Sequence, residues 1–120
     1  MWTYSQRTGK LDHDGVTAAI GYSGNGPGKN NPDWQRVHNC GPIPQGRYTI
    51  GEPIEGTHMG PHALPLTPDT DNYMFGRSGF FFHGDSSAGL GECSNGCPVL
   101  DAYTRGRLAE SADRELTVSP

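Results

Sequence analysis

Eighteen glycines and ten prolines punctuate a chain of 120 residues. Glycine loses the most backbone freedom on folding, and proline removes a backbone donor. A chain broken this often cannot sustain long helices, so short strands joined by turns are its economical solution. Hydrophobic residues make up 32% of the sequence and charged residues 18%. The core must therefore be small, held by backbone pairing and by aromatics spread from Trp2 to Tyr103. We expect one mainly β domain over residues 1–120, a mixed sandwich or partly open barrel with one C-terminal helix.

Several function classes conflict with the composition. No apolar run approaches the roughly 20 residues of a membrane span. No basic and then apolar segment opens the chain, so we expect no signal peptide and synthesis in the cytoplasm. A pI near 5.6 with scattered cations argues against nucleic acid, whose binding needs clustered Lys and Arg. No cofactor motif is present. The glycines before Lys29 lack the spacing of a phosphate loop, and Asn30 stands where Ser or Thr is needed.

The order of elements follows from the turn signals. Trp2-Thr3-Tyr4 is a short strand, and Asp14-Gly15 marks a hairpin between Lys10 and a return strand over Val16–Tyr22. Residues 23–32 form a surface loop. Gly41-Pro42-Ile43-Pro44 turns into a strand whose Tyr48 and Ile50 share a face. Gly56 to Asp71, with His58, His62 and three prolines, reads as a long irregular connection, and Asn72–Phe75 as a short strand. His13 and His38, like those two histidines, read as surface or loop residues. Phe80-Phe81-Phe82 is the strongest strand signal and is expected to be buried on both faces. Asp101 is a candidate N-cap for a helix reaching about Ser111, with Leu100, Tyr103 and Leu108 toward the sheet. Arg114–Val118 reads as a last strand.

The chemistry concentrates late in the chain. His83 ends the Phe strand, and Cys97 follows a glycine- and serine-rich gap that lets the chain loop back. A thiol of pKa about 8.5 is only a few per cent ionised at neutral pH, so a nearby imidazole raises its nucleophilicity by taking the proton. A strand end fixes that imidazole, and the Gly84 carbonyl or the Ser86 hydroxyl is near enough to hold its other nitrogen. Gly96 allows the sharp turn that aims backbone N–H groups at an oxyanion.

Three ordered motifs carry a more specific resemblance: Gly41-Pro42-Ile43-Pro44-Gln45-Gly46-Arg47-Tyr48, Phe82-His83-Gly84-Asp85 and Ser94-Asn95-Gly96-Cys97. Together they resemble the L,D-transpeptidase catalytic domains, in the small branch that includes type VI secretion effectors and phage-encoded relatives. The resemblance spans about Val16 to Val118. It implies Cys97 as nucleophile, His83 as base, Gly84 as the group orienting the imidazole, and Ser94 as shaper of the loop. It also implies Gly96 and Cys97 as oxyanion donors. The implied substrate is a peptidoglycan stem peptide, cut between the L-centre of meso-diaminopimelate and D-alanine, with water or an amine resolving the thioester. The implied place of action is the periplasm of a target or host bacterium, in a type VI or phage lysis setting. An immunity protein or a component of a secretion machine is the implied partner. Two departures stand out: Asn95 replaces the usual His, and Pro98 follows the nucleophile without an N–H to offer.

Other candidates are weighed beside these. Arg77 is placed to bind a stem-peptide carboxylate, with an exposed arginine at the strand start as the plainer alternative. Asp85 would orient His83, bind the substrate amine or simply cap a turn. Phe82 and Asn95 complete the substrate-binding candidates. Three cysteines leave open a Cys40–Cys93 disulfide or full reduction. Cys40, Cys93, Cys97 and His83 could instead hold zinc, which would make the chain a stabilised binding module. An inactive peptidoglycan-binding relative is a further alternative.

Overall fold

The computed structural model describes residues 1–55, 62–84 and 95–120. Its strands are β1 (Trp2–Ser5), β2 (Lys10–His13), β3 (Val16–Ile20), β4 (Gly46–Ile50), β5 (Leu64–Pro68), β6 (Phe80–Phe82) and β7 (Glu115–Ser119). The helix α1 covers Ala102–Glu110, and two short 3-10 turns occupy Gly26–Gly28 and Pro32–Trp34. The fold is mainly β, a single curled half-barrel sheet with one C-terminal helix.

The sheet runs in the order β3-β2-β1-β7-β4-β5-β6. The first and last strands lie side by side in parallel, Trp2 opposite Leu116 and Tyr4 opposite Val118. The other neighbours are antiparallel. The hairpin between β2 and β3 turns at Asp14 and Gly15, whose φ values of 50° and 86° are the mirror-image turn geometry that Asp-Gly favours.

Alternation along the strands builds the core. Trp2, Tyr4, Leu11, Tyr48, Ile50, Leu64, Leu66, Phe80, Phe82, Leu116 and Val118 are all buried, with Leu100 and Leu108 packed onto the same cluster. Large aromatics supply much of this volume, as a chain poor in aliphatics requires. Asp101 caps α1: its carboxylate accepts from the Thr104 backbone N–H at 3.2 Å and from the Thr104 hydroxyl at 2.5 Å.

Four expectations need correction. The connection from Gly56 to Asp71 contains β5, a strand inside the sheet between β4 and β6. Pro65 is tolerated there because its carbonyl still accepts from the Gly51 N–H at 2.8 Å. Asn72–Phe75 is not a strand. The Asn72 side chain itself pairs with the backbone of Arg47, through bonds of 3.0 and 2.7 Å, and the chain then turns at Phe75 and Gly76. Phe81 is half-buried, since only Phe80 and Phe82 point into the core. Tyr103 is 76% exposed. Thr104 and Leu108, four apart, define the buried face of α1 and leave Tyr103 outside it.

Candidate active site

The segment after Cys97 is stitched between two others. Val99 pairs with Tyr22 on one side and with His83 on the other. The His83 N–H donates to the Pro98 carbonyl at 3.3 Å, and the Leu100 N–H donates to the His83 carbonyl at 2.9 Å. This parallel register places Cys97 beside Phe81, two residues before His83, and the Phe81 N–H points at Cys97 Sγ at 3.4 Å. Phe80 and Phe82 face the core, so Phe81 and His83 project on the other side of the strand. The loop carrying the thiol and the strand carrying the imidazole are thus fixed to each other by backbone hydrogen bonds.

The imidazole is oriented by its neighbour. His83 Nδ1 lies 2.9 Å from the Gly84 carbonyl oxygen. A carbonyl can only accept, so Nδ1 carries a proton, and in the neutral ring the basic nitrogen is then Nε2. Gly84 has a second constraint. A Cβ there would run into the Arg105 guanidinium, which donates to the Leu100 carbonyl at 2.9 Å. Burial pushes the Arg105 pKa down, while Asp101 and Glu55 oppose that shift.

The thiol is nearly buried, at 6% exposure. Its hydrogen faces the Gly79 carbonyl at 3.7 Å while its sulfur accepts from Phe81. Burial pushes the Cys97 pKa up, and the Phe81 N–H and the charge of Arg77 pull it back. A cleft of about 300 Å³ opens on it, walled by His38, Asn39, Gly76, Arg77, Ser78, Gly79, Phe80 and Asn95. His38 is held there by its own hydrogen bond, Nε2 to the Phe75 carbonyl at 2.9 Å. Phe75 adopts φ of 56°, strained for a bulky side chain, and so keeps that carbonyl turned toward the cleft wall. His38 was expected to be an ordinary loop residue, and no local sequence pattern marks it as a wall of this cleft.

The Gly41–Pro44 turn anchors the thiol loop. The buried Ser23 hydroxyl donates to the Gly96 carbonyl at 2.6 Å and accepts from the Ile43 N–H at 2.9 Å. Arg77, 6% exposed, donates through Nη1 to the carbonyls of Gln35 and Pro42 and through Nη2 to those of Gly41 and Asn95. With all four terminal N–H groups so engaged, a substrate-carboxylate role for Arg77 would rest on Nε–H alone. Gly96 has φ of 129°, and a Cβ there would meet Arg77 Nη2.

The remaining candidates fall into place around this frame. Asn95 is exposed on the cleft wall, and its side-chain oxygen accepts from Asn25 Nδ2 at 3.4 Å. Phe82 is completely buried in the core cluster, with no surface of its own on the cleft. Ser94 and Asp85 lie outside the described residues, as do Ser86, Cys93 and His58. Cys40 and Cys97 are both free thiols. Of the zinc set, Cys40, Cys97 and His83 do not converge. Among the described residues only His13, Asp14 and Asp113 bring three potential ligand atoms within 4.8 Å of one another. The terminal ammonium of Met1 occupies that cluster, 2.7 Å from Asp14 and 2.6 Å from Asp113. Among the described residues, no helix is long and apolar enough to cross a membrane.

No curated protein and no solved structure matches the chain. The family model of the Tlde1 domain matches residues 17–118, which include β4, β6, His83 and Cys97. That match covers most of the sequence, and the chain belongs to the Tlde1 domain family, the type VI secretion effectors with L,D-transpeptidase-type activity.

Proposed function

We propose that this chain is a cysteine enzyme that cuts peptidoglycan stem tetrapeptides between meso-diaminopimelate and D-alanine. The observation that carries the reading is the registration of the Cys97 loop against the His83 strand, with the His83 proton assigned to Nδ1 by the Gly84 carbonyl. His83 Nε2 takes the thiol proton, and the Cys97 sulfur attacks the carbonyl at the L-centre of diaminopimelate. A C–S bond forms, and the backbone N–H groups of Gly96 and Cys97 hold the oxyanion. Collapse breaks the C–N bond, His83 returns the proton to the leaving nitrogen, and D-alanine departs. Water then yields the tripeptide, or an amine yields a cross-link or an exchanged D-amino acid. Either attack breaks the C–S bond and restores the thiol.

Asn95 on the cleft wall is a substrate contact in this reading, and the resemblance adds Ser94 as shaper of the loop and Asp85 as a candidate for the substrate amine. The enzyme acts in the periplasm of a rival bacterium after delivery by the type VI machine, with an immunity protein as its partner in the producer. Release as a phage lysis enzyme is the other setting that the same chemistry suits. The test is mass spectrometry of muropeptides incubated with the wild-type protein and with Cys97→Ala. Tetrapeptides losing or exchanging D-alanine only with the wild type support the reading. Unchanged muropeptides with both proteins would favour a binding module instead.

A further inference from the structure

Arg77 is a buried cation without a carboxylate partner among the ion pairs of the described residues. Removing a guanidinium from water is costly unless its donors are satisfied, and here four carbonyl oxygens satisfy the terminal four. The distances are 2.5 Å to Gln35, 2.7 Å to Pro42, 2.9 Å to Gly41 and 3.3 Å to Asn95. Two of these carbonyls belong to the Gly41–Pro44 turn and one, that of Gln35, to the segment leading into it. The fourth belongs to the loop two residues before the nucleophile. Carbonyls orient their negative ends toward the cation but leave its full charge in place. That charge lies on the cleft wall that also contains Cys97. The Phe80 ring, with the guanidinium carbon 5.2 Å from its centroid, closes one side.

We propose that Arg77 is a positioning residue that ties the Cys97 loop to the Gly41–Pro42 turn and keeps a permanent positive charge beside the thiol. The planar fork is what the task requires. Lysine has three donors at one point and cannot span four carbonyls on two segments. The same geometry gives Gly96 its reason, because any side chain there would displace the guanidinium. An arginine stays protonated at every pH at which a protein remains folded, so its charge is constant while the thiol titrates. Among the described residues, the other titratable groups around this pair are His83 at the end of the adjoining strand, His38 on the cleft wall, and Cys40 and Tyr48, whose charged forms would interact with Arg77. The inference rests on the proposed role of Cys97 only for its effect on turnover. Its effect on the thiol is measurable by itself.

The experiment is the pH dependence of iodoacetamide alkylation at Cys97, resolved from Cys40 and Cys93 by peptide mass spectrometry. It is run on the wild type, Arg77→Lys and Arg77→Met, with circular dichroism as the check on folding. In Arg77→Met the alkylation midpoint should rise by about one pH unit, and the rate at neutral pH should fall about tenfold. In Arg77→Lys the midpoint should stay near that of the wild type. Its kcat on a stem tetrapeptide should fall about tenfold with KM little changed, since the charge survives but the loop loses its clamp. A folded Arg77→Met with the wild-type midpoint overturns the electrostatic part. Should Arg77→Met not fold, an Arg77→Lys variant with wild-type kcat overturns the clamp. A shifted midpoint in a protein with no activity on any muropeptide would uphold the role of Arg77 and defeat the proposed reaction.

Discussion

The Ser23 hydroxyl holds the Gly96 carbonyl at 2.6 Å across 73 residues of sequence. The same oxygen accepts from the Ile43 N–H, so one buried atom joins the thiol loop to the Pro-Ile-Pro turn. Replacing Ser23 by Ala strands that N–H in the interior and removes the hydrogen bond to that carbonyl. We predict a loss of about 1–3 kcal/mol in stability, the usual cost of stranding a buried polar group. Urea denaturation measures it. The kcat on a stem tetrapeptide should fall more than KM changes, because the thiol loop loses its anchor while the walls from His38 and Gly76–Phe80 keep theirs.

Gly84 and Arg105 make a second tight pair. A methyl group at Gly84 would collide with the guanidinium, and the carbonyl that orients His83 belongs to the same residue. Gly84→Ala should therefore lower stability by about 1–3 kcal/mol, the typical cost of overpacking, and lower kcat as well. Arg105→Ala should relieve the collision. In a double-mutant cycle the stability losses of Gly84→Ala and Arg105→Ala should sum to more than the loss in the pair. Strict additivity would show that the two side chains do not compete for the same space.

The cap of α1 predicts an acid-dependent stability. Asp101 has its pKa lowered, first by the Thr104 hydroxyl; burial opposes that shift, and the Thr104 backbone N–H and Arg105 add to it. A carboxylate with a depressed folded pKa contributes stability that is present above its unfolded value, near 3.9, and is lost as pH falls through the folded value. Asp101→Asn should flatten that acid limb of the stability curve while keeping much of the cap. Asp101→Ala should cost about 1 kcal/mol at neutral pH. Thermal melts between neutral pH and pH 3 give both readings.

The legible parts of this fold were those written locally. Asp14-Gly15 and Asp101 each act on their own few neighbours, and both the hairpin and the helix formed where those residues placed them. The strand β5 was hidden because Pro65 and Pro68 read as breakers, although a carbonyl is enough to join a ladder on one side. Phe75 read as a strand residue because aromatics favour strands, yet it sits at a positive φ in a turn.

In the site, the ordered motifs pointed to His83, Gly84, Gly96 and Cys97 as a set. The residues that hold them carried no such pattern. Ser23, Arg77 and Arg105 act on backbone atoms far away in sequence, and those contacts exist only once the turn, the loop and the helix have packed. The Gly-Pro-Ile-Pro turn was legible as a turn feeding a strand, and its link to the thiol loop was not. Its physical part as the anchor of the thiol loop emerges from the hydrogen bonds of Ile43, Pro42 and Gly41.

The central claim is that the Cys97 sulfur becomes acylated by the stem peptide. Intact-protein mass spectrometry of acid-quenched reactions with a tetrapeptide tests it most directly. An added mass equal to the tripeptide acyl group, mapped to the Cys97 peptide, should appear together with free D-alanine and be absent from Cys97→Ala. Release of D-alanine by Cys97→Ala, or an adduct on any other residue, would contradict it.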